Sequence, residues 1–199
     1  MENVILSMYI TLIPPIITGI LTMIWCKLPI LKSLKKPIDF NKNFKDGKRI
    51  FGDNKTWKGF IGYILISTIC TIIWGFICNA TILNKYNFFY VNNNNTFLFN
   101  MLIGFLLGLA YALFELPNSF MKRRLNIEEG KTTTGLKKIL FIFIDQSDSV
   151  IGCALVVWLF YDLGIKLFLF YILLGALTHI VVNMILYFLH LRKNMFEEG

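Results

Sequence analysis

Five apolar runs, each close to the length of a membrane span, constrain this chain more than any other feature: Val4 to Trp25, Phe60 to Asn79, Phe97 to Leu116, Ile139 to Tyr161 and Leu167 to Leu189. Crossing about 30 Å of hydrocarbon at about 1.5 Å per residue takes about 20 residues. Inside lipid each backbone N–H and C=O must be paired within the structure, so such runs are helices. The fold class is therefore an all-α integral membrane protein of about five transmembrane helices. We read residues 1–199 as a single membrane domain, with large connections at 26–59 and 117–138. The first connection is too short to bury a core of its own. Composition agrees, since 56% of residues are hydrophobic and the mean hydropathy is +0.61. A soluble domain usually holds about 45–50% apolar residues. Residues 1–27 lack a basic leading region and their apolar run is too long for a signal peptide, so this is a retained span. Pro14-Pro15 should kink it or mark its broken start. The four cysteines all sit in apolar runs without metal-ligand spacing, which makes them packing residues.

Basic residues set the orientation, because cytoplasmic flanks retain Lys and Arg. The 26–59 connection carries Lys32, Lys35, Lys36, Lys48, Arg49, Lys55 and Lys58 among others, and the 117–138 connection carries Lys122, Arg123, Arg124, Lys131, Lys137 and Lys138. The connection between the second and third runs holds only Lys85. This pattern places the amino terminus outside and both large loops in the cytoplasm of a multi-pass cell-membrane protein.

Charge inside the apolar runs is the chemical signal. Asp145 and Asp148 lie within the fourth run, where a carboxylate costs about 2.5–3.5 kcal/mol and usually faces a protein interior. At i and i+3 they share a helix face and repel unless a proton or a cation intervenes. A divalent metal brought by a phosphate ligand is the expected remedy, because Lys122, Arg123 and Arg124 form a cationic cluster nearby. Ser147 and Ser149 could ligate or bond back to the helix backbone. In the first loop, Gly47 and Gly52 permit turns, and Asp53 or Thr56 could cap a helix whose free N–H groups, beside Lys55, make a phosphate seat. Trp57 suits an interfacial anchor. Pro117 should end the third span or restart a helix, with Ser119 capping the restarted segment. Glu115 is a third acid at the same level, and His179 with Asn183 reads as an interhelical hydrogen-bond pair. Gly130-Lys131 has the wrong order and spacing for a Walker loop.

Four separated motifs carry a resemblance over nearly the whole chain: Pro37-Ile-Asp39; Gly52-Asp53-Asn-Lys55-Thr56-Trp57-Lys-Gly59-Phe60; Ser119-Phe-Met-Lys122-Arg123-Arg124-Leu; and Asp145-Gln-Ser-Asp148. With these the chain resembles the CDP-archaeol synthase family, itself similar to the phosphatidate cytidylyltransferases. The resemblance implies magnesium-dependent transfer of CMP from CTP to a membrane lipid phosphate, with release of pyrophosphate. It implies Asp145 and Asp148 as metal ligands and Lys122, Arg123 and Lys55 as catalytic cations. Asp39, Asp53, Thr56, Ser119, Arg124 and Lys131 would serve substrate binding, with Asp39 and Asp53 holding the metal or ordering the loop. The partners implied are CTP, the lipid phosphate, the bilayer and an allowed homodimer, with no nucleic acid. This chain departs from the archaeal members at Glu115-Leu-Pro117-Asn118, where they carry a Gly-Asp pair and a Gly before the serine; Gln146 stands where the cytidylyltransferases carry Arg. Those departures leave the lipid acceptor open. The competing class is a small transporter or scaffold with its acids on an ion path, but such a path should stay polar beyond mid-membrane, and little lies there past Ser67, Thr68 and His179.

Overall fold

The computed structural model describes residues 3–128 and 135–190, without the side chains of residues 136 and 137. Lys131, expected at the substrate, lies outside the described residues. Among the described residues six α-helices occur in the order α1 (Val4–Lys27), α2 (Trp57–Asn79), the single turn α3 (Phe88–Val91), α4 (Phe97–Arg124), α5 (Leu136–Phe160) and α6 (Gly164–Phe188). The described residues contain no strand. Among them five helices are long and apolar enough to cross a membrane, and the chain is a multi-pass membrane protein.

Neither proline site breaks its helix. Pro14 and Pro15 lie inside α1, and Pro117 lies inside α4, which continues to Arg124 rather than ending near Leu116. Ser119 is accordingly a buried residue within α4 and caps nothing. In α1 the reason is visible. A proline at position 14 cannot donate to the Ile10 carbonyl, and the Trp74 indole N–H of α2 donates to that oxygen at 2.9 Å instead.

The helices pack in chain order, α1 on α2, α2 on α4, α4 on α5 and α5 on α6. The closest of these contacts rests on a small-residue pair, Gly104 and Gly108, one turn apart on α4. A Cβ on Gly104 would fall 2.5 Å from the Thr68 Cα, and one on Gly108 would fall 2.4 Å from the Tyr63 carbonyl oxygen. Only glycine lets the two backbones approach this closely. At the end opposite the basic loops, α3 inserts Phe88 and Phe89 into a core with Met8, Leu12, Val157 and Tyr171. There the Phe88 ring stacks on Tyr161 at 4.6 Å and the Phe88 N–H donates to Thr11 Oγ1 at 3.1 Å. Helices α1 and α6 meet at this end, where the Tyr171 hydroxyl donates to the Met8 carbonyl at 3.4 Å.

The first loop is built around Asp39. Its carboxylate accepts from Arg49 Nη2 at 3.0 Å and from the N–H groups of Asn41 at 3.0 Å, Phe51 at 3.0 Å and Gly52 at 3.1 Å. Gly52, at φ +117°, takes a backbone conformation that a side chain would strain. Burial alone would raise the Asp39 carboxyl; the Arg49 guanidinium and the three N–H groups outweigh it and hold the group below its ordinary value of 3.8. A carboxyl held low stabilises the fold fully above its unfolded value, and that contribution disappears as pH falls through the lower folded value. We expect the Phe51 and Gly52 amide resonances to titrate together with a midpoint below pH 3.8, and the Asp39→Asn loop to show no such transition.

Candidate active site

Continuous α4 presents Tyr111, Glu115, Asn118 and Lys122 at helical spacing, and α5 faces it with Asp145 and Asp148. Asn118, Lys122, Asp145 and Asp148 are all buried. Lys122 Nζ lies 2.5 Å from Asp145 Oδ1. The Asn118 amide nitrogen donates to Asp145 Oδ1 at 2.7 Å and to Asp148 Oδ2 at 2.9 Å. Asp148 Oδ1 also accepts the Ser149 backbone N–H at 2.6 Å. The two acids therefore share one face, as their spacing predicts, but the chain supplies much of the stabilisation that the sequence reading assigned to a metal: an ammonium on one carboxylate and an amide bridging both. Arg123 is half-buried on the same turn of α4. Ser147 bonds back to the Phe143 carbonyl at 2.8 Å rather than pointing its hydroxyl toward the acids.

Beside this cluster lies a cavity of about 880 Å³ between α1, α2, α4, α5 and α6. Its polar part carries Asp53, Lys55, Thr56, Lys58, Glu115 and Asp145, and its apolar part carries Leu12, Pro15, Ile16, Gly19, Val150 and Cys153. Asp145 lines it, whereas Asp148 sits behind, toward Asn118 on α4. Of the two candidate caps for α2, Thr56 is the one used: its hydroxyl accepts the Gly59 N–H at 3.2 Å. Lys55 reaches across to α4, with Nζ 2.8 Å from Glu115 Oε2, while the Tyr63 hydroxyl donates to Glu115 Oε1 at 3.1 Å. The Lys55 and Glu115 side chains are each only 12% exposed, so removing one partner strands a charge. We expect Lys55→Met to destabilise by about 3 kcal/mol, and the double variant Lys55→Met with Glu115→Gln to recover most of that loss in its melting temperature.

The remaining expected site residues divide between the loop and the cavity. Arg124 is tied into the first loop, not aimed at the cavity: its Nε lies 2.6 Å from Asp46 Oδ2, its Nη2 donates to the Arg49 carbonyl, and its guanidinium lies 4.3 Å over the Phe120 ring. Asp39 orders the loop through the bonds described above. Asp53 lines the cavity and pairs with Arg49 at 2.9 Å. His179 and Asn183 make interhelical hydrogen bonds, as expected, both of them to Gln146 on α5: His179 Nδ1 is 3.3 Å from the Gln146 carbonyl, and the Asn183 amide donates to Gln146 Oε1 at 2.6 Å. Two residues escaped the sequence reading. Lys58, fully buried, donates from Nζ to the Leu28 carbonyl at 2.6 Å and so closes the end of α1. Asn118 was hidden by reading Pro117 as a break; taken as one helix, the spacing of Glu115, Asn118 and Lys122 would have exposed the stripe.

A CarS-like family model, described as CDP-archaeol synthase, matches residues 2–196. The chain belongs to the CDP-archaeol synthase family. It is 30% identical over 151 residues to the CDP-archaeol synthase of Methanocaldococcus jannaschii, covering 76% of this chain and 78% of that one. It is 35% identical over 114 residues to the Pyrococcus furiosus CDP-archaeol synthase, covering 57% of this chain and 60% of that one. Its fold is similar to a solved intramembrane enzyme of archaeal membrane lipid biosynthesis, with a TM-score of 0.57 at 21% identity over 88% of this chain and 91% of the other. The family is the one the four motifs pointed to.

Proposed function

We propose that this member of the CDP-archaeol synthase family transfers CMP from CTP to a membrane lipid phosphate, with magnesium, and releases pyrophosphate at the cytoplasmic face of the cell membrane. Membership makes the chain a CTP-dependent cytidylyltransferase that produces a CDP-activated lipid. The observation that carries the finer reading is the buried Asp145, Asp148, Lys122 and Asn118 cluster set against a cavity with a charged part and an apolar part. A headgroup and a hydrocarbon chain need those two surroundings side by side. Helices α1 and α6 touch at the end away from the loops, and the cavity between them toward the loops suits an acceptor arriving sideways from the bilayer.

In the reaction an oxygen of the lipid phosphate attacks the α-phosphorus of CTP, the bond from that phosphorus to the bridging oxygen breaks, and pyrophosphate leaves. Lys55, from the start of α2, and Lys122 with Arg123, from the end of α4, stabilise negative charge on the transferred and departing groups. The donor set fits a hard cation: two carboxylates and an amide carbonyl, all oxygen, with Asn118 Oδ1 buried and without a hydrogen-bond partner. Asp145 and Asp148 would hold the ion. Its chemistry there is neutralisation of phosphate charge during an in-line displacement.

Purified protein incubated with each of the four ribonucleoside triphosphates and a panel of diacyl, dialkyl and isoprenoid phosphates tests this reading. The expected product is a lipid heavier by one CMP, formed from CTP and dependent on magnesium. Absence of any nucleotidyl-lipid across the panel would overturn it.

A further inference from the structure

We infer that Asn118 is a third oxygen ligand of the divalent cation at the acid pair, and that its amide reverses between a donating and a ligating orientation as the ion leaves and arrives. This inference rests on the function proposed above and adds a residue the sequence motifs did not assign.

Three observations carry it. First, Asn118 is 5% exposed and its single amide nitrogen meets both acids, at 2.7 Å from Asp145 Oδ1 and 2.9 Å from Asp148 Oδ2. Second, the other half of the same amide, Oδ1, is buried and has no hydrogen-bond partner. A buried acceptor left unmet costs about 1–3 kcal/mol, and an orphan in a functional cluster calls for a ligand that the protein alone does not supply. Third, no group of three His, Cys, Asp or Glu side chains suited to a metal exists among the described residues. Two carboxylates alone are a sparse seat for an ion that takes oxygen ligands, and the amide carbonyl is the neighbouring oxygen able to complete it.

Asparagine suits this place because its two ends do opposite jobs. Without a cation, two carboxylates at i and i+3 need donors, and the amide nitrogen supplies one to each. With a cation, the carboxylates need no such donor, and a half-turn about χ2 exchanges the nitrogen for the carbonyl oxygen at the same place. Lys122 continues to hold Asp145 in both orientations. An aspartate here would repel the acids when no ion is present, and a leucine would serve neither state.

Manganese, used as the probe without nucleotide or lipid, reads the inference directly. Electron paramagnetic resonance titration of the full chain in detergent should show Asn118→Leu, close in volume but without donor or acceptor, binding Mn²⁺ about 10–100-fold more weakly than the unaltered chain. Asn118→Asp should bind it more tightly. Melting temperatures in the presence of a chelator identify folded variants, and Asn118→Asp tests the inference through a gain if Asn118→Leu does not fold. Equal Mn²⁺ affinity in the unaltered chain and in the folded variants would overturn the inference, leaving the transferase reading intact if CDP-lipid is still made. Mn²⁺ binding that depends on Asn118 in a protein that makes no nucleotidyl-lipid would instead overturn the transferase reading.

Discussion

Replacing either buried acid with its amide is expected to remove CDP-lipid formation, by at least about 10²–10³-fold for each of Asp145→Asn and Asp148→Asn. The two should differ in stability. Asp145 is the carboxylate on which Lys122 rests at 2.5 Å, with side-chain exposures of 7% for the lysine and 1% for the acid. Neutralising it leaves an ammonium buried without its counter-charge, a change that typically costs about 3–5 kcal/mol. Asp148 accepts from the Asn118 amide through Oδ2 and from the Ser149 N–H through Oδ1, and an asparagine, with a single oxygen, keeps one of these two bonds and loses the other. Thermal denaturation alongside turnover separates the two variants: both inactive, Asp145→Asn markedly less stable, and Asp145→Asn with Lys122→Met recovering stability without activity. Undiminished turnover in both single variants would remove the acids from the reaction.

The second large effect is expected at a residue with no chemistry. Gly108→Ala places a methyl 2.4 Å from the Tyr63 carbonyl oxygen and 2.6 Å from the Ile64 Cα. Backbone cannot yield as a flexible side chain can, so α2 and α4 must separate. These two helices carry opposite walls of the polar part of the cavity, α2 with Tyr63 and the adjoining Lys55, and α4 with Glu115. Separation breaks the Lys55–Glu115 pair and the Tyr63 hydrogen bond together. We expect loss of activity together with a steep fall in melting temperature. A Gly108→Ala protein as stable as the unaltered chain would show that the close approach is not required.

The sequence makes the five-helix membrane architecture readable because span length and hydropathy are local properties, and the helix ends fall within a few residues of their expected positions except on α4. There the error has a physical source. Proline is a strong local signal for a break, but tertiary packing on α2 and α5, with the Asn118 bridge to the acids, carries α4 through Pro117. Treating that residue as a boundary concealed the Glu115, Asn118 and Lys122 stripe. The shared face of Asp145 and Asp148 comes from helix geometry alone and was legible. Partners distant in sequence were not: nothing local says that Lys55 pairs with Glu115, that Arg124 serves Asp46, or that Trp74 meets the carbonyl that Pro14 cannot bond. The cationic clusters could be recognised as clusters, but which cations reach the cavity and which hold the loop depends on the fold.

The measurement that bears most directly on the central claim tracks the phosphorus of CTP. The protein is incubated with magnesium and a lipid phosphate, using CTP labelled at the α- or at the γ-phosphorus, and the lipid fraction is extracted. If the cluster of Asp145, Asp148, Lys122 and Asn118 supports transfer of CMP, α-label enters the lipid, γ-label stays in the aqueous phase as pyrophosphate, and Asp145→Asn abolishes the transfer. Label from the γ-position in the lipid, or none from the α-position, would contradict the account.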